Sequence, residues 1–335
     1  MSPLAFIWFL LIGVLISGYF ILDGFDLGAG VLYPVLAKSE ADRAVIRRSI
    51  GPVWDGNEVW VLTAGGALFA AFGPAYATSF SGFYLAIMLV LFGLIIRAVA
   101  LEFRAHDAAW GKLYDVLFVL GSFLPALLYG VAIGNVVGGV NLDAHGDFAG
   151  SFFDLLNPFA LLCGVLGFVH MLVQGAGWIA LKAPAGTDLA RRARALRGKL
   201  AVAEIAVFAL TSVVLFVAVV PGGAVEIRAL AVVFAIVFLA ASIGALKAPS
   251  DLLAQVLASV GCVGLVGVAA STLFPNLITA TDPAYSITIA GAAGSDMTLA
   301  IMLGIACIGV PLVLVYHVIA YRIFRGRLKK EDLTY

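Results

Sequence analysis

Long apolar stretches, each closed by charged residues, proline or glycine, recur near residues 5–37, 51–72, 78–104, 112–139, 155–182, 196–221, 225–247, 250–278 and 297–325. A bilayer core about 30 Å thick takes roughly 20 apolar helical residues per crossing, so the pattern predicts about nine transmembrane helices. The fold class is therefore all-α and integral to the membrane, a single polytopic domain over 1–335 with a first helical bundle at about 1–140 and the remaining helices at about 150–335. From Lys38 to Ser49 the chain is charged, with Val45, Ile46 and the adjoining Ile50 as its apolar members. That segment reads as a short amphipathic helix lying on the membrane surface between the first two spans. Segment 279–296 is polar and rich in Gly, Ala, Ser and Thr, which suits a surface loop.

Composition agrees with the pattern: 63% of the 335 residues are hydrophobic, 12% are charged, and the mean hydropathy is +1.09. A surface this apolar needs lipid as its solvent. The first apolar stretch is too long for a signal-peptide core and lacks a basic flank, so it reads as a retained span. The formal net charge is zero, so bulk charge gives no argument for nucleic acid.

Where the charges sit is more informative than their sum. Cytoplasmic loops carry the excess of Lys and Arg. Lys38, Arg43, Arg47 and Arg48 follow the first span, and Arg97, Arg104 and Lys112 lie around the end of the third. Lys182, Arg191, Arg192, Arg194, Arg197 and Lys199 follow the fifth, Lys247 the seventh, and Arg322, Arg325, Arg327, Lys329 and Lys330 close the chain. Only Arg228 falls on the opposite side, and 73–77, 139–154 and 279–296 hold no Lys or Arg. This alternation places the N-terminus outside and the C-terminus in the cytoplasm. Attraction of the 182–199 stretch to anionic lipid headgroups is a plausible addition to its topological role.

Ionisable side chains within a span cost about 2.5–3.5 kcal/mol each on insertion scales, so each needs a partner or a function. Asp23 and Asp26 lie in the first span, Asp55, Asn57 and Glu58 in the second, and Arg97 in the third. At about 1.5 Å of rise per residue, Asp26 lies roughly 16 Å from the cytoplasmic end of its span, Asp55 roughly 6 Å, and Glu58 and Arg97 roughly 10 Å. These matching depths predict a buried ion-pair cluster of Asp26, Asp23 and Arg97. Either Arg97 neutralises Asp26 and fixes helix packing, or Asp55 and Glu58, one turn apart on one helix face, begin a proton path from the cytoplasm.

Trp54 suits an interfacial anchor, whereas Trp60 lies deeper and either packs the core or lines a gap between helices. Glycines 24, 28 and 30, and again 65 and 66, are expected at close helix contacts. His170 and His317 fall inside spans and could in principle ligate haem iron, although a lone span histidine is more often a hydrogen-bonded packing residue. Cys163, Cys262 and Cys307 are far apart in apolar runs and read as inert buried thiols. No nucleotide, haem-attachment or zinc-hydrolase motif occurs.

Four stretches, GYFILDGFDLGAG, PVWDGNEVW with its long downstream run to ALEFR, FFDLLNPFALLCGV and YRIFRGRLKKEDL, resemble subunit II of cytochrome bd-type quinol oxidases, and the compact length resembles the short, cyanide-insensitive branch. The resemblance implies two four-helix bundles plus a peripheral helix, in a heterodimer in the bacterial cytoplasmic membrane. Subunit I is then the partner, holding two b-type haems and one d-type haem, and this chain ligates no haem. Quinol and oxygen are the substrates of the complex, membrane lipids surround it, and a structural quinone and a small accessory subunit occur in some members. The same resemblance puts Asp55 on a proton route and Trp60 beside an oxygen path, with Asp26 and Arg97 supporting the haem region. Because some members carry Gln at the position of Glu58, its role is less secure than that of Asp55. The rival reading is a stand-alone secondary transporter with an Asp26, Asp55 and Arg97 site, to which Pro74, Pro125 and Pro158 lend broken-helix character.

Overall fold

The computed structural model describes residues 1–104, 106–107, 109–219 and 225–329, the side chains of 225–228 excepted, so the Arg228 side chain and Lys330 lie outside the described residues. The chain opens with α1 (Pro3–Leu36), whose first turn is closed by the Ser2 hydroxyl accepting from the Ala5 N–H. The surface helix follows as α2 (Glu40–Ile50), with Ser39 as its cap, Glu40 and Asp42 in the first turn and Arg47 and Arg48 in the last. That charge order complements the helix dipole, while Val45, Ile46 and Ile50 bury the apolar side.

Next come α3 (Trp54–Ala71), α4 (Gly73–Gly82), α5 (Tyr84–Phe103) and α6 (Gly111–Gly138). The predicted span 78–104 is thus divided. Residues 73–82 form their own helix, which packs its last residue Gly82 so close to Phe148 that a Cβ there would meet its side chain at 2.8 Å, and the membrane-length segment begins after Phe83.

The second half comprises α7 (Pro158–Lys182), α8 (Asp188–Val214), α9 (Val225–Leu246) and α10 (Asp251–Leu273). After α10 a short hairpin pairs β1 (Asn276–Ile278) with β2 (Ile287–Thr288), one turn of helix α11 (Ile289–Ala292) follows, and α12 (Asp296–Ile323) is the last helix. The loop expected at 279–296 therefore carries local structure, and the stretch expected to be a basic loop at 182–199 is mostly the start of α8, capped by Thr187.

Eight described helices are long and apolar enough to cross a bilayer. With α3 the count reaches nine: its 18 residues span about 27 Å at 1.5 Å each, and it falls short on hydropathy because Asp55, Asn57 and Glu58 occupy its first two turns. The predicted class and approximate helix number stand. Helices α1, α3, α5 and α6 pack together, α7 to α10 pack together, and the two groups meet through α1, α6 and α7. The seam between α1 and α7 is backbone against backbone, since a Cβ on Gly28 would lie 1.9 Å from the Met171 carbonyl oxygen. Gly24 and Gly30 also face close neighbours, whereas Gly65 and Gly66 meet nothing within 4 Å, so the packing role expected for them is not found within this chain. Pro125 sits inside α6 rather than at a span end, while Pro74 and Pro158 begin α4 and α7. Helix α12 is peripheral: Leu299 and His317 are its buried residues. Cys307, on that helix, is exposed rather than buried.

Candidate functional site

Three apolar helices each contribute polar groups at one height. Within α1, Asp23 and Asp26 are three residues apart and share a face, and both are fully buried. Arg97, near the end of α5 and also fully buried, donates from Nη2 to Asp23 Oδ1 at 2.7 Å and to Glu58 Oε1 at 2.5 Å. Asp26 is not a salt-bridge partner of Arg97. Instead Asn57 donates to Asp26 Oδ2 at 2.7 Å and to the Leu22 carbonyl at 3.1 Å, and Tyr321 of α12 donates to Asn57 Oδ1 at 2.9 Å.

The expected Arg97–Asp26 pairing is thereby replaced by two adjoining units. One is the Asp23–Arg97–Glu58 ion triad, and the other is the Asp26–Asn57–Tyr321 hydrogen-bonded string. The cause is helical phase: residues 57 and 58 point about 100° apart around α3, so Glu58 reaches α5 while Asn57 reaches α1. Asp23 Oδ2, Asp26 Oδ1, Arg97 Nε and Arg97 Nη1 make no hydrogen bond among the described residues. Tyr19, which donates to Tyr129 at 3.0 Å, lies one turn above Asp23 on α1.

Asp55 occupies the first turn of α3, is exposed, and contacts none of these groups by a hydrogen bond or ion pair among the described residues. Glu58, one turn deeper on the same helix, retains 20% side-chain exposure. Exposure thus falls from Asp55 through Glu58 to the fully buried Arg97 and Asp23. Trp60 is buried between α1 and α12. Its Nε1 donates to His317 Nε2 at 3.2 Å, and its ring sits so close to Gly18 that a Cβ there would lie 2.3 Å away.

Sequence reasoning passed over three acidic residues. Glu204, buried in α8, lies 2.5 Å from His170 Nδ1, and His170 Nε2 lies 2.7 Å from the Gln174 side-chain nitrogen. Its signal was the single carboxylate inside the apolar run AVAEIAVFAL. Asp115, in α6, accepts from Arg104 Nε at 3.0 Å and Tyr33 at 2.7 Å, and Arg47 in turn donates to that tyrosine hydroxyl. Asp251, at the start of α10, is paired with three guanidinium groups, Arg194 at 2.7 Å, Arg197 at 3.3 Å and Arg327 at 2.9 Å. The latter two networks tie the basic ends of distant helices together.

A haem iron needs an axial nitrogen or sulfur ligand. Both ring nitrogens of His170 are engaged with Glu204 and Gln174, and both of His317 with Trp60 and the Val313 carbonyl, so neither histidine offers a free nitrogen. Among the described residues no three His, Cys, Asp or Glu side chains come together as a metal site.

Fold and site together define a polytopic helical membrane protein with a buried ion cluster where α1, α3 and α5 meet. Residues 4–324 match the family of cytochrome bd terminal oxidase subunit II, and the chain belongs to that family. It is 36% identical to a probable cytochrome oxidase subunit 2 of Haemophilus influenzae, over 97% of this chain and 95% of that protein. It is 35% identical to the cytochrome bd-I ubiquinol oxidase subunit 2 of Escherichia coli K12 (98% and 96% covered) and 33% identical to the cytochrome bd ubiquinol oxidase subunit 2 of Bacillus subtilis (100% of each). The fold is also that of a chain of the bd oxidase from Geobacillus thermodenitrificans, with a TM-score of 0.79 at 16% identity, covering 96% of this chain and 99% of that one.

Proposed function

We propose that this chain is the haem-free subunit II of a bd-type quinol oxidase in the bacterial cytoplasmic membrane, and that its own chemistry is proton input from the cytoplasm. Subunit I supplies the two b-type haems and the d-type haem at which quinol is oxidised and oxygen reduced to water. Reduction of oxygen to water consumes protons as well as electrons, so the complex needs a hydrated entry on the proton-supplying side. The N-terminus is outside and the C-terminus inside, which turns the basic end of the bundle to the cytoplasm.

The observation that carries this reading is the gradient along α3: Asp55 exposed, Glu58 20% exposed, and Arg97, Asp23 and Asp26 fully buried behind them. Asp55 takes a proton from water, Glu58 accepts it one turn deeper, and the buried group receives it where Asp23 and Glu58 hold the Arg97 guanidinium and Asp26 adds a third carboxyl beside them. That excess of carboxyls over cations is neutralised by bound protons. Asp26, with one oxygen held by Asn57 and the other unpartnered, is suited to carry one of them. For Trp60 the close seat against Gly18 and the bond to His317 support a packing wedge between α1 and α12 more than the wall of an open oxygen path. Family membership favours this reading over a stand-alone transporter.

Asp55→Asn in the assembled complex is the test. Because Asp55 holds no other described side chain, haem content and assembly stay at wild-type level while oxygen consumption and charge movement in proteoliposomes fall. Wild-type turnover and charge movement in that variant would remove the proton route.

A further inference from the structure

At the basic end of the bundle a cavity of about 180 Å³ opens between the end of α2, the α2–α3 link, the last turn of α7 and the segment after α12. Its polar lining includes Arg48, Lys182, Arg325 and Arg327, its apolar wall includes Trp178 and Phe324, and no Asp or Glu lines it. Lys182 decides what such a cavity wants. Its residue is buried, its ammonium donates to the Phe324 carbonyl at 2.5 Å and stands 4.9 Å above the Trp178 ring, and it has no carboxylate within salt-bridge distance among the described residues. Dipoles and a ring face surround this cation without neutralising it. Arg325, exposed at the rim, has no hydrogen bond or ion pair among the described residues. Arg327 cannot discharge the site either, because the Asp251 carboxylate it touches is shared with Arg194 and Arg197.

We propose that this cavity is a binding site for a phosphate-bearing anion, supplied by the headgroup of an acidic phospholipid. A buried cation at a membrane end, next to an exposed guanidinium and an apolar wall, matches a phosphodiester whose acyl chains remain in the bilayer. The occupant joins α2, α7 and the segment after α12, which meet here from distant parts of the sequence.

The experiment uses the intact detergent-solubilised complex, stripped of loosely bound lipid and titrated with phosphatidylglycerol, phosphatidylcholine or inorganic phosphate, with bound species counted by native mass spectrometry. Phosphatidylglycerol binds in preference to phosphatidylcholine, and Lys182→Gln and Arg325→Gln each weaken it by about fivefold, the effect of one cation near a headgroup. Arg325→Gln breaks no hydrogen bond or ion pair among the described residues and keeps the test valid if Lys182→Gln assembles poorly. Cation-dependent binding of inorganic phosphate as tightly as the lipid supports the anion site and makes its source soluble. Equal binding of both lipids, or identical binding by wild type and Arg325→Gln, overturns the proposal. Binding seen only after truncation behind Lys329 also overturns it, by assigning the cavity to the acidic Glu331 and Asp332 of the chain itself.

Discussion

Tyr321 and Asn57 stand 264 positions apart in the chain, and the tyrosine hydroxyl donates to the amide oxygen at 2.9 Å. With its oxygen held by the peripheral helix, the amide turns its nitrogen to Asp26 and the Leu22 carbonyl. One hydrogen bond thereby orients a carboxylate on α1 from a helix that otherwise buries little of itself.

The relationship ranks two variants. Asn57→Ala strips Asp26 of the one donor it has among the described residues and leaves a fully buried carboxyl unsatisfied at a cost of about 1–3 kcal/mol, whereas Tyr321→Phe loses a bond between neutral groups and costs about 0.5–1.5 kcal/mol. Thermal unfolding of the purified complex reads the order. A larger loss in Tyr321→Phe would show that Asp26 is held by something else.

Arg97 is the cation of the triad. Arg97→Met leaves Asp23 and Glu58 without their guanidinium and destabilises the complex by about 3–5 kcal/mol, the cost of breaking one side of a buried pair. Adding Asp23→Asn recovers part of that loss by removing one of the stranded charges. The yield of assembled complex and its midpoint of unfolding measure both steps, and a single variant as stable as wild type refutes the assignment.

His170 and Glu204 form the second buried pair. Glu204→Leu abandons the imidazole Nδ1 and lowers stability by about 3–5 kcal/mol, while Glu204→Gln, which can still accept from that nitrogen, loses less. Melting of Glu204→Leu at the wild-type temperature shows that the contact contributes nothing.

Asp143 lies partly exposed in the segment between α6 and α7, where its carboxylate accepts from the backbone N–H groups of Asp147 and His145. Those bonds hold its carboxyl below the usual Asp range. The folded-state value is the depressed one, so the turn is held above the unfolded Asp value of about 3.9 and is released as pH falls through the lower folded value. Amide exchange of Asp147 and His145, relative to the intrinsic rate at each pH, loses protection at the acid end. Asp143→Ala abolishes the pH dependence, and protection that persists unchanged in strong acid contradicts it.

Hydropathy alone determined the class of the molecule, its approximate helix number and the amphipathic helix at Glu40–Ile50, because lipid forces each crossing to satisfy its own backbone within one continuous apolar segment. It also marked Asp23, Asp26, Glu58 and Arg97 as exceptional, since each breaks such a segment. Which carboxylate meets which cation depended on angles around the helix axes and on how the helices lean together, so the tertiary structure gave Arg97 to Asp23 and Glu58 and gave Asp26 to Asn57. Likewise only the fold could seat Gly28 against Met171 and leave Gly66 without a neighbour, or bring Lys182 beside the segment after α12. Period and polarity are local properties of a chain, whereas partnership in a membrane bundle is decided between helices far apart in sequence.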